Sequence, residues 1–153
     1  MDIHELLKTA IGKKVVHSLT GGCVGSIWNI EFEEGVHYMI NCAWRVEHNG
    51  VVLTTCGDDA TPHVGHMNES VQHLLNNKLL SYELSSHYDL TLYFENNYIV
   101  RVFCDSMFEA DIKEEHPHEN WYFCVPASDI AVAITCYFKV IYTRFYSNDL
   151  IEK

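Results

Sequence analysis

The chain is poor in cations, in chain-breaking residues and in long apolar runs. Ten Lys+Arg stand against 21 Asp+Glu, which leaves a formal net charge of −11 over 153 residues. A field of that sign repels phosphate, so nucleic acid and anionic membrane are excluded as partners. Three Pro and eight Gly leave no low-complexity linker. The longest apolar stretch, Ile130–Phe138, is too short to span a bilayer, and Lys139 and Arg144 follow it. The opening MDIHELLKTAIGKK lacks a basic start, a long apolar run and a small-residue cleavage site, so a cytosolic location is expected. No CxxC or HExxH spacing is present. Gly21-Gly22-Cys23-Val24-Gly25 precedes a strand pattern and not a helix, so it reads as a hairpin turn and not as a phosphate cradle.

What is present is a core. Hydrophobic residues make up 48%, with nine Tyr, seven Phe and three Trp, which is enough to bury the interior of one domain over residues 1–153. Six cysteines, at 23, 42, 56, 104, 124 and 136, are expected as reduced thiols in a chain without an export signal. Cys42, Cys104 and Cys124 fall on the apolar phase of strand patterns, where Cys acts as a small hydrophobe.

Residues 2–11 carry Ile3, Leu6, Leu7, Ala10 and Ile11 at helical spacing, with Asp2 and Glu5 in capping-box positions and Gly12 as the stop. A second helix is expected over 68–76, with Asn68 as its cap and Val71, Leu74 and Leu75 as its stripe. The likeness extends further. Residues 10–16 align with 74–80, and 32–36 align with 94–98, so the second copy has the shorter hairpin. This is read as a degenerate duplication of a helix-β-β-β unit, with halves at about 2–56 and 67–126 and extra C-terminal strands at about 129–146.

Alternation marks the strands. Trp28, Ile30 and Phe32 share a face, as do Val36, Tyr38, Ile40, Cys42, Trp44 and Val46 along a single strand. Turns fall at Glu33-Glu34-Gly35, at His48-Asn49-Gly50 before the strand 51–55, and at Asn96-Asn97. Leu90, Leu92 and Phe94, then Tyr98, Val100, Val102 and Cys104, repeat the pattern, and Trp121, Phe123 and Val125 make a further strand that Pro126 stops. The fold class is α+β, mostly antiparallel sheet with two helices on one side.

Candidate chemistry is thin. Cys56, Asp58, Asp59, His63, His66 and His73 form the best cluster for a metal site or a small enzyme, but their spacing fits no known ligand set. No Cys sits beside bases or at a helix start, as a reactive thiolate would. The expectation is therefore no catalysis, no metal and no cofactor. The informative segment is Asp105–Glu119, where Asp105, Glu109, Asp111, Glu114, Glu115 and Glu119 face the single cation Lys113. Phe108 lies inside it, next to Met107; Trp121, just beyond, alternates with Phe123 and is expected in the core.

The acidic run leading into Glu119-Asn120-Trp121-Tyr122-Phe123-Cys124-Val125-Pro126, the strand Cys42-Ala43-Trp44-Arg45-Val46, and the step Gly57-Asp58-Asp59 after Thr54-Thr55 resemble the immunity proteins of bacterial contact-dependent inhibition and related polymorphic toxin systems. The resemblance implies a cytosolic protein that binds a basic toxin domain, such as a ribonuclease, and blocks it. It transfers no residue position by position. The residues expected to meet such a partner are Asp105, Phe108, Glu109, Asp111, Glu114, Glu115 and Glu119, with Asp58 and Asp59.

Overall fold

The computed structural model describes residues 2–21, 25–105 and 118–151. The chain runs α1 (Ile3–Leu7), β1 (Val15–Thr20), β2 (Trp28–Phe32), β3 (His37–Ile40), β4 (Ala43–His48) and β5 (Val51–Thr55). It continues as α2 (His66–Val71), β6 (Leu79–Leu84), β7 (Leu90–Phe94), β8 (Tyr98–Phe103), β9 (Glu119–Val125), β10 (Ile130–Thr135) and β11 (Val140–Thr143). The class is α+β, and every strand pair is antiparallel.

The strands form two sheets, in the orders β1-β2-β3-β9-β10-β11 and β5-β4-β8-β7-β6. Each half of the chain builds a three-stranded meander in one sheet, then sends its next strands to the other. β4 and β5 join β8, while β9 and β10 join β3. The expected single strand over 36–46 is therefore two strands in different sheets. The chain crosses at Asn41 and Cys42, whose N–H groups both donate to the Asn120 carbonyl, at 2.8 and 3.0 Å. The alternation hid the crossing because Tyr38, Ile40, Cys42, Trp44 and Val46 all stay in phase toward one shared core. Rings from the two sheets meet there, with Trp28 and Trp44 centroids 4.7 Å apart. Trp121 is fully buried, as its alternation required.

The helices are shorter than their patterns and do not lie on one side of one sheet. α1 has the expected capping box of Asp2 and Glu5 but gives way to a 3-10 turn at Lys8–Ala10. α2 starts at His66 after Gly65, and Asn68 lies inside it. Asn68 has another task, since its Oδ1 accepts from the Thr20 N–H on β1. α2 packs on β1 and β5. α1 reaches the other end of the sheets, where the Tyr82 hydroxyl of β6 donates to the His4 carbonyl and the Ile3 backbone meets the Tyr142 hydroxyl of β11. Each helix thus closes the gap between one edge of each sheet.

The duplication is written in matched bonds. The Lys14 N–H donates to Glu33 Oε2 at 3.0 Å, and the Lys78 N–H to Glu95 Oε2 at 2.9 Å. Trp44 Nε1 donates to the Ser26 carbonyl at 2.7 Å, and Trp121 Nε1 to the Tyr88 carbonyl at 3.0 Å. The Gly12 N–H donates to the Leu79 carbonyl, and the Asn76 N–H to the Val15 carbonyl. Gly12 and Asn76 both hold positive φ, +82° and +67°, where glycine and asparagine are the tolerant choices. Lys14 bridges Lys78, and Phe32 stacks on Phe94 at 6.2 Å and 1°, so each of these pairs straddles the pseudo-twofold axis.

Candidate functional site

The link between β5 and α2 holds two of the expected partner-binding residues, Asp58 and Asp59. Both carboxylates accept hydrogen bonds from near neighbours in sequence, and Asp59 stays exposed. Asp58 accepts from the Asp59 N–H at 2.8 Å and from the Thr54 hydroxyl at 2.9 Å. Asp59 Oδ1 accepts from the Thr61 hydroxyl at 2.6 Å and from its N–H at 3.0 Å. Hydrogen bonds that favour the charged form hold both carboxyls below the usual range, through the Asp59 N–H for Asp58 and the Thr61 hydroxyl for Asp59. The loop is tight. A Cβ on Gly65 would stand 2.5 Å from the Asp59 carbonyl oxygen and 2.7 Å from the Thr61 nitrogen. These bonds define a locally organised acidic corner whose primary work is to shape the turn.

The wider Cys56–His73 cluster does not converge. His66 Nε2 donates to the Leu53 carbonyl at 2.8 Å and stands 3.6 Å from Asp58 Oδ2. His63 lines a groove with His17 and Gln72 along β1, and His73 stacks at 6.4 Å on Tyr98. Among the described residues no three His, Cys, Asp or Glu side chains gather as a metal would require.

Phe108, Glu109, Asp111, Glu114 and Glu115 lie outside the described residues, as do Met107 and Cys23. What is described is where the segment leaves and re-enters the fold. Asp105 is exposed just after β8, and Glu119 opens β9. Burial raises the Glu119 carboxyl pKa, although the residue as a whole remains exposed. In the duplication this passage from β8 to β9 corresponds to the passage from β3 to β4. The first copy crosses between sheets with Asn41 and Cys42 alone, while the second takes residues 104–118. The acidic run is therefore an insertion at a crossover, a place where added length leaves both sheets intact.

The thiols are quiet. Cys42, Cys56, Cys104, Cys124 and Cys136 are free. A hydrogen bond with Cys104, and then burial, push the Cys42 thiol pKa up. Burial pushes the Cys124 thiol to about 11. Cys124 pairs in register with His37 across β9 and β3, a juxtaposition that sequence reading missed because the two lie 87 positions apart. A thiol shifted upward carries less of the nucleophilic thiolate at neutral pH. Cys124 also corrects its phase: it lies opposite Trp121 and Phe123, and is buried on the outer face of its sheet against Ala131.

Sequence reading also missed a charged patch on the outer face of the five-stranded sheet. Arg45 and Arg101 are cross-strand neighbours, and their Nε atoms donate to one oxygen of Glu47 at 2.7 and 2.6 Å. Arg45 also lies over the Phe103 ring at 5.2 Å. Beside the patch, Leu80, Tyr93, Tyr98 and Ile99 line a cleft of about 580 Å³. No helix among the described residues is long and apolar enough to cross a membrane. Comparison with protein-family models, curated proteins and solved structures gives no match.

Proposed function

We propose that the chain is a non-catalytic, cytosolic inhibitor that binds a cationic protein, a ribonuclease-type toxin domain, and holds it inactive. The observation that carries this reading is the distribution of charge: a net −11, with six carboxylates gathered in 105–119 at a crossover between sheets. Such a field accelerates encounter with a basic partner and disfavours wrong ones.

The test is association kinetics against a basic ribonuclease-type toxin domain, over a salt series. Neutralising Glu109, Asp111, Glu114 and Glu115 together slows association by about tenfold or more at low salt. Mutant and parent converge as salt shortens the Debye length from about 10 Å at 0.1 M to about 3 Å at 1 M. An unchanged on-rate at low salt sinks this reading of the segment.

A further inference from the structure

The two sheets end in four edge strands, and exposed edges are templates for another chain. Three of the four have at least one outer backbone group bonded within the chain. On β1, the Gln72 amide of the turn after α2 donates to the Ser18 carbonyl, and the Thr20 N–H donates to Asn68 Oδ1 at 3.4 Å. On β5, His66 donates to the Leu53 carbonyl. On β11, the Ile151 N–H donates to the Tyr142 carbonyl, and Leu150 bridges Thr143.

β6 differs. From Leu80 to Leu84 the outer side of its backbone has no partner among the described residues. The duplication identifies the groups concerned. Ser18 pairs with Ile30 as Tyr82 pairs with Leu92, so Tyr82 and Leu84 present backbone outward just as Ser18 and Thr20 do. The residues that correspond to Asn68 and Gln72 are His4 of α1 and Lys8 of the 3-10 turn after it. His4 meets the Tyr82 hydroxyl at 2.9 Å and leaves the strand backbone open, and Lys8 is exposed. Leu80, 54% exposed, links this edge to the 580 Å³ cleft it shares with Tyr93 and Ile99. Main-chain groups beside a side-chain cleft are the two parts of recognition by strand addition.

Charge decides the occupant. Glu83 lies exposed on the strand, where one carboxylate oxygen accepts from the Tyr93 hydroxyl at 3.0 Å and Arg101 is near enough to feel its charge, and Asp2 is close enough to act on the Tyr82 hydroxyl. Lys78 precedes the strand, but no cation lies within 79–84, where edge lysines would deter pairing. A second copy of the chain brings another −11 and sets acid against acid. We infer that β6 is a docking edge for an extended segment of a partner protein that alternates basic with aliphatic residues, its cations near Glu83 and its apolar side chains toward the cleft. The partner's charge rests on the proposed function; the open edge does not.

The test uses the full chain, isotope-labelled, and a soluble capped hexapeptide of alternating Lys and Val. The peptide should shift the amide resonances of Leu80–Leu84 and slow exchange at Tyr82 and Leu84. N-methylation of the peptide residues that face the edge keeps the charge and removes the donors, and should weaken binding by about tenfold or more. A Glu-for-Lys peptide should not bind. Leu84→Pro deletes one outward N–H at a position an edge strand tolerates, and should have the same effect as N-methylation; if that variant does not fold, the peptide arms still decide. Equal binding of the N-methylated peptide, shifts centred on another strand, no binding at millimolar peptide, or a Leu84-dependent dimer of the chain would each overturn the proposal. A toxin domain that binds without disturbing β6 removes the edge and keeps the inhibitor. Peptide binding at β6 without toxin binding does the reverse.

Discussion

β1 and β6 stand at equivalent places in the duplication, yet only β1 is closed by side chains of the other half's helical segment. Asn68 and Gln72 reach the backbone of β1, while His4 reaches only a side chain of β6. The outer faces diverge in the same way. Arg45, Glu47 and Arg101 on one sheet correspond to Tyr122, Cys124 and Met39 on the other. The interior did not diverge so far, because Trp44 and Trp121 keep the same burial and the same kind of carbonyl partner. Close packing punishes change in the core, whereas edges and outer faces can be rebuilt at little cost to the fold.

The sharpest way to break this comparison is in the core. Trp44→Ala and Trp121→Ala should each destabilise by about 3–5 kcal/mol, since each removes a fully buried ring and leaves a carbonyl without its donor. Urea unfolding measures both. A difference larger than the spread of about 2 kcal/mol within that range would show that the two positions are not energetic equivalents.

A smaller effect separates the edges. Gln72→Ala removes the cover of the Ser18 carbonyl and should cost about 1 kcal/mol. Lys8→Ala, its counterpart, touches no described backbone and should stay within about 0.5 kcal/mol. Equal losses at the two sites would mean that β6 is covered after all.

The strand periods and the turn residues were legible because local φ/ψ demands and a half-buried face leave direct marks on sequence. The duplication was legible for the same reason, through Phe32 with Phe94 and Gly12 with Asn76. The exchange of strands between sheets left no mark. Asn41 and Cys42 continue the alternation of Tyr38 and Trp44, and a residue facing a shared core looks the same from either sheet. Asn68 was misread as a cap because a short polar side chain serves equally well to cover a neighbouring edge. The arginine pair and the His37–Cys124 pair come from strands far apart in sequence, so only the register unites them. Of the expected partner-binding residues, the turn-forming work of Asp58 and Asp59 is visible only in three dimensions, since Thr54 and Thr61 gave no signal of it.

The most delicate contrast lies between Glu47 and its counterpart Cys124. Burial pushes the Glu47 carboxyl pKa up, but its bonds to Arg101 and Arg45 outweigh that and leave it below the ordinary value. A folded-state pKa below the unfolded one, near 4.3, gives stability that is fully present above the unfolded value. That stability fades as pH falls through the folded value, because protonation then favours the unfolded chain. The gap between the parent and Glu47→Gln should therefore hold steady from about pH 7 to pH 5 and narrow below about pH 4. Cys124 has the opposite sign, since burial lifts its thiol to about 11 and keeps it neutral in both states throughout the acid range. Cys124→Ala should shift stability by an amount that does not vary between those pH values. Urea midpoints across the series read both variants. A Glu47→Gln gap that stays constant down to pH 3 would mean that the two arginine bonds do not hold the carboxylate in solution, and that the charged face is as indifferent to acid as the apolar one.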